Sequence, residues 1–82
     1  NLTRSLALEY AEQNIRVNAL CPGFIDTPII PEESKQALAS VTPMKRLGKA
    51  EEMAKAVLFM ASDDSTFMTG NSLIVDGGYT AQ

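Results

Sequence analysis

"IRVNALCPGFIDTP" (Ile15–Pro28) is the stretch that decides the fold. Ile15, Val17, Ala19 and Cys21 alternate with Arg16, Asn18 and Leu20, the period of two that a strand imposes on its side chains. The first set is expected to face inward, with Cys21 a buried and inert thiol. Pro22-Gly23 breaks the run, and Thr27-Pro28 closes the loop that follows. This loop has two readings. Thr27 could cap a helix that begins at Pro28. Alternatively, the loop could shape a ligand site at the carboxyl end of a parallel strand.

Working outward, residues 1–13 suit a helix. Leu2, Leu6 and Tyr10 recur on one row, with Thr3 and Ala7 alongside. Arg4, Leu8 and Glu12 lie on the far side, and Leu8 makes a helix covered on two faces the expectation. Asn14, which tolerates the left-handed conformation, is the expected stop. Downstream, 31–40 reads as a short helix, with Pro31 at its first position and two acids in its first turn. Pro43 breaks it and "MKRLGK" is loop. A longer helix covers 50–61, with Met53, Val57 and Met60 on one stripe. "SDDSTFMTG" is loop or a single turn. The last strand, Leu73–Asp76, ends at Gly77-Gly78.

The order is helix, strand, helix, helix, strand: an α/β chain whose strands are expected to run parallel through a right-handed crossover. Parallel sheets need cover on both faces. Two strands and three helices supply this poorly, and the chain opens in mid-pattern without Met. The expectation is a C-terminal segment of something longer, occupying 1–82 as one unit.

Composition narrows the function. There are 82 residues, seven basic, ten acidic, no His and one Cys. A net charge of −3 lacks the basic stripe of a nucleic-acid binder. Cys21 has no partner for a disulfide, and no Cys/His set is available for zinc. No apolar run approaches the roughly 20 residues of a membrane span. A soluble, cytoplasmic protein is expected.

Four segments in order resemble the short-chain dehydrogenase/reductase family: "NLTRSLALEYAEQNIRVNALCPG", "PGFIDT", "PMKRLGKAEEMAKAVLFMASDDSTFMTG" and "NSLIVDGG". They correspond to about the last third of a typical member. Missing are the glycine-rich phosphate loop, the catalytic Ser and the Tyr-x-x-x-Lys; Tyr10 has Asn14 where the lysine would stand. No catalytic residue is therefore expected within these residues.

The resemblance implies a Rossmann-type sheet and hydride transfer, in a longer parent, between NAD or NADP and an alcohol/ketone pair. It implies that Pro22, Gly23, Ile25 and Thr27 hold the nicotinamide carboxamide, which offers one acceptor and two donors. It makes 28–48 a substrate lid, with Ile29, Ile30, Leu38 and Met44 in an apolar wall that suits a ketone better than a phosphate. The chain alone is expected to bind no cofactor. Lys45-Arg46 reads as a solvated basic pair.

The ending "GGYTAQ" resembles that of bacterial secondary-alcohol dehydrogenases; no acid set here has metal spacing, so no metal site is expected. Family members assemble through the last strand and the helix before it. Homo-oligomer formation through Leu73–Asp76 and residues 50–61 is thus expected. Two readings from other classes stand beside the enzyme: a non-enzymatic truncated product persisting by self-association, and a short binding module.

Overall fold

The computed structural model describes residues 1–82. Helix α1 spans Leu2–Tyr10, with the Asn1 side chain accepting the Arg4 N–H at 3.0 Å as its N-cap. A 3₁₀ turn, Ala11–Gln13, extends it, and Asn14 closes it in the left-handed region at φ 59°. Two strands, β1 (Ala19–Pro22) and β2 (Ser72–Val75), form a parallel pair with Ala19 opposite Ser72 and Pro22 opposite Val75. Between them lie α2 (Glu32–Ser40) and α3 (Ala50–Ala61), and α3 packs against β1. The expected order of elements and the parallel sheet are both present.

The first strand is shorter than the alternation predicts. From Ile15 to Asn18 the chain runs beside 68–71, joined by one main-chain bond, Gly70 N–H to Val17 O at 2.8 Å, and otherwise by side chains. Thr69 Oγ1 accepts the Val17 N–H at 3.1 Å, and the Asn18 amide reaches Met68 O at 2.9 Å and the Asn71 N–H at 3.0 Å. The regular ladder starts only at Ala19, whose N–H donates to Asn71 O at 2.9 Å. The strand then runs one residue further than expected, through Pro22, whose missing N–H is tolerated at a strand end. Cys21 is exposed, not buried, because nothing in the chain covers its side of the sheet. The second strand sits one residue earlier than expected.

Arg16 is the main cross-brace. Its guanidinium donates to Ser65 Oγ at 3.1 Å, Met68 O at 3.2 Å and Ser62 O at 3.3 Å. Ser65, almost fully buried, in turn reaches Phe59 O at 2.7 Å and Met60 O at 3.0 Å. Both carbonyls lie in the last turn of α3, where the regular helical donors run out, and Phe59 O also accepts the Ser62 N–H at 3.2 Å. Arg16, three residues before β1, thus fixes the 62–68 loop that follows α3.

The interior is small. Only Ala7, Thr42 and Ser65 of 82 residues are buried, and Ala7 is the one hydrophobic among them. Leu8 (81% exposed), Leu58 (67%) and Phe67 (104%) face solvent. Of the α3 stripe, Met53 and Met60 are half-buried, while Val57 is exposed. The radius of gyration is 15.1 Å, against roughly 12 Å for a compact chain of this length. The accessible surface is 6008 Å², against roughly 4,800 Å² for a folded monomer of this mass.

Candidate functional site at the carboxyl ends of the strands

Both strands end at the same edge, and their following loops meet there. Gly23 continues the ladder, its N–H donating to Val75 O at 3.1 Å. A Cβ at Gly23 would stand 2.8 Å from both Cα and Cβ of Asp76. The neighbouring strand therefore demands glycine here before any ligand does. Beyond it, Ile25 and Gly48 form a parallel bridge: Asp26 N–H donates to Gly48 O and Gly48 N–H to Phe24 O, both at 2.9 Å. The segment after α2 is thereby sewn to the loop after β1. Phe24 meets Tyr79 edge to face, ring centres 5.2 Å apart.

A concave space of about 180 Å³ opens at this junction. Of the residues predicted from the sequence, it gathers Gly23, Ile25 and Met44. Pro22 stands exposed at the strand end, and Thr27 is half-buried outside the lining. The expected apolar wall divides. Met44 lines the cavity, Ile30 and Leu38 are half-buried elsewhere, and Ile29 is 90% exposed.

Thr27 does not cap a helix at Pro28. The chain makes a turn there, with Ile30 N–H donating to Thr27 O at 3.2 Å, and α2 starts at Glu32 with Pro31 as its N-cap residue. The Thr27 hydroxyl makes no hydrogen bond within the chain, nor do the Ile25 N–H and C=O. One hydroxyl, one amide donor and one carbonyl acceptor thus remain free within three residues of the loop, Ile25 to Thr27. That set fits a carboxamide, which needs donors and an acceptor together.

The charged groups of the lining are already engaged. Arg46 forms a forked pair with Glu52, Nη1 to Oε1 at 3.0 Å and Nη2 to Oε2 at 3.1 Å. Glu52 also accepts the Lys49 N–H at 2.9 Å, closing the first turn of α3. The Arg46 guanidinium first, then that N–H, hold the Glu52 carboxyl down at about 2. Arg46 is solvent-exposed, as its place beside Lys45 predicts, but it is ion-paired rather than free. Lys45, at φ 59°, is tied to Ser40 O at 2.8 Å.

Asp76 spends its carboxylate on Thr80 Oγ1 at 2.8 Å, Thr80 N–H at 3.0 Å and Gly78 N–H at 2.9 Å. The Thr80 hydroxyl above all holds its carboxyl below the usual range. The cavity presents no uncommitted charge, and no group of His, Cys, Asp and Glu in the chain has the arrangement of a metal site. The sequence reading missed Thr42, Arg46, Glu52 and Asp76 as lining residues. An acid at the third position of α3, six residues past an arginine, was the available signal for one pair.

The family model described as enoyl-(acyl carrier protein) reductase matches residues 1–80. The chain belongs to the short-chain dehydrogenase/reductase family. It is 46% identical to cyclohexanol dehydrogenase of Acinetobacter sp. strain SE19 over 81 residues, which are 99% of the chain and 32% of that enzyme. Glucose 1-dehydrogenase of Gluconobacter oxydans is 52% identical over 86 residues, 98% of the chain and 32% of the enzyme. A short-chain dehydrogenase family protein from Francisella tularensis superposes with a TM-score of 0.92 at 39% identity, covering 99% of the chain and 39% of that structure. ElxO with NADP bound gives 0.90 at 37% identity, covering 99% and 35%. The chain spans about a third of the length of the curated relatives it matches.

Proposed function

We propose that these residues form the nicotinamide-orienting and substrate-covering part of an NAD(P)-dependent oxidoreductase acting on an alcohol/ketone pair. The observation that carries this is the free trio of Ile25 N–H, Ile25 C=O and Thr27 hydroxyl, at the carboxyl end of a parallel strand. Ligands of open α/β sheets bind in that position. When bound, the nicotinamide supplies or takes the hydride. The residues here hold its carboxamide and so select the ring face that meets the substrate. Gly23 and Pro22 set where the loop departs from the sheet, and residues 28–48 cover the substrate and exclude water. A lining whose charges are all engaged accords with an uncharged carbonyl substrate. A cytoplasmic location and assembly through the last strand and residues 50–61 belong to the same reading.

The test is Thr27→Val in the active dehydrogenase carrying these residues. Loss of one such hydrogen bond costs roughly 0.5–1.5 kcal/mol, so kcat/KM should fall by up to about tenfold, with Thr27→Ser retaining most of it. Unchanged kinetics would remove Thr27 from the site. The 82 residues alone should show no saturable NAD(H) or NADP(H) binding by calorimetry, since they hold no phosphate cradle at a helix N-terminus.

The excess surface favours a second reading for the chain by itself, a non-enzymatic product that persists by self-association. Intact mass separates the two. A protein several times heavier supports the enzyme; one of 8.9 kDa supports the product.

A further inference from the structure

The segment between the two loops of the site is fastened differently at its two ends. Past α2, the fastening is broad. Thr42 is buried and its Oγ1 closes the end of α2 on Leu38 O at 2.9 Å, while Met44 N–H donates to Gly77 O at 3.1 Å and so ties the segment to the loop after β2. The Thr42 methyl fills the space beside Gly77, where a Cβ would come within 2.8 Å of it. At the other end a single tie joins α2 to the loop after β1, Lys35 Nζ to Asp26 Oδ1 at 2.8 Å. No other hydrogen bond or ion pair links α2 to residues 22–30.

We propose that the Lys35–Asp26 pair is the latch of a hinged cover. Residues 28–41 swing about the anchor at 42–44, and the pair sets how often they stand away from the carboxyl end of β1. This rests on the reading of 28–48 as the substrate cover. Two features suit a latch better than a fixed strut. The Lys35 and Asp26 side chains are 24% and 55% exposed, so the pair is weak and the open state stays accessible. Lys35 also holds Glu32 within α2, Nζ to Oε2 at 2.7 Å. Opening therefore leaves the ammonium with a carboxylate, and the Asp26 carboxylate, 55% exposed, with water.

The test measures two quantities on the active dehydrogenase: amide hydrogen exchange within α2, and the KM for alcohol against that for cofactor. Asp26→Asn breaks the tie and keeps Lys35–Glu32; Lys35→Met breaks both. Each should speed α2 exchange by about 1.5- to 5-fold, the range of exposed ion pairs. The double variant should add nothing to Lys35→Met, and 1 M salt should narrow the gap to wild type. The alcohol KM should rise more than the cofactor KM in both variants. Unchanged exchange in Asp26→Asn overturns the latch whatever the kinetics. Faster exchange with an unmoved alcohol KM upholds the latch and overturns the cover reading on which it rests.

Discussion

The carboxyl edge of the sheet and the faces of the same sheet are built to different standards. At the edge, a Cβ at Gly23, Gly48 or Gly77 would come within 2.8 Å of Asp76, Ile25 or Thr42 respectively. Every charge there has a partner, and three segments are stitched by main-chain hydrogen bonds. On the faces, Cys21 and Leu58 stand in solvent and a single hydrophobic residue is buried. The edge satisfies itself from within these residues. The faces do not: parallel strands want cover on both sides, and α3 gives β1 only one neighbour. Site geometry and stability are therefore supplied by different parts of the molecule.

The largest expected effect comes from testing the faces. The 82-residue chain in isolation should self-associate, because contiguous apolar patches beyond a few hundred Å² are rare on soluble monomers and both strands have a free edge. Light scattering should show species well above 8.9 kDa, and Leu58→Lys with Phe67→Lys should reduce them. A monodisperse monomer with a cooperative melt would show that the faces need no partner, and the contrast would collapse.

That contrast also explains what could be read from the chain beforehand. Helices α1 and α3 follow from apolar spacing, and Asn14, Gly77 and Gly78 stop elements as their backbone freedom predicts, all at positive φ. These are local rules. The start of β1 was not legible because the Thr69 and Asn18 side chains interrupt the main-chain ladder across about 50 residues of chain, leaving only Gly70 N–H to Val17 O before Ala19. The burial of Cys21 was misread because alternation names a face, not what covers it. At the site, the Pro22–Thr27 loop was visible through its breakers. Its partner groups Thr42, Arg46, Glu52 and Asp76 were not, since only the close approach of three loops brings them together. The four residues of the expected 28–48 wall part company for the same reason: a list of hydrophobic residues does not say which turn outward, as Ile29 does.

A smaller effect tests the edge. Gly23→Ala places a methyl against the main chain of Asp76, which cannot yield as a flexible side chain would. In any longer protein carrying these residues it should cost about 1–3 kcal/mol, the usual cost of overpacking, read as a lower midpoint in urea at unchanged m-value. The contact lies wholly between residues 23 and 76, so covering the sheet faces does not relieve it. An unchanged midpoint would mean that the two strand ends can part freely, and that the edge is no tighter than the faces.

The smallest expected effect lies in the pH dependence of the Arg46–Glu52 pair, where edge and solvent meet. Glu52 is held at about 2 in the folded chain against an ordinary 4.5. A carboxylate depressed by folding adds stability that is present above its unfolded value and is lost as pH falls toward its folded value. Glu52→Gln should therefore be less stable than wild type at pH 7, with the gap closing between about pH 4.5 and 2. Asp76, shifted the same way by Thr80 and the following N–H groups, keeps some acid sensitivity in the variant. The gap stays small because Arg46 and Glu52 are 46% and 37% exposed and water screens them. Melting curves of both proteins across that window decide the point. Parallel curves from pH 7 to pH 2 would mean that the ionisation of Glu52 contributes nothing to folding, and that α3 is held at the site by packing and the cap rather than by the fork.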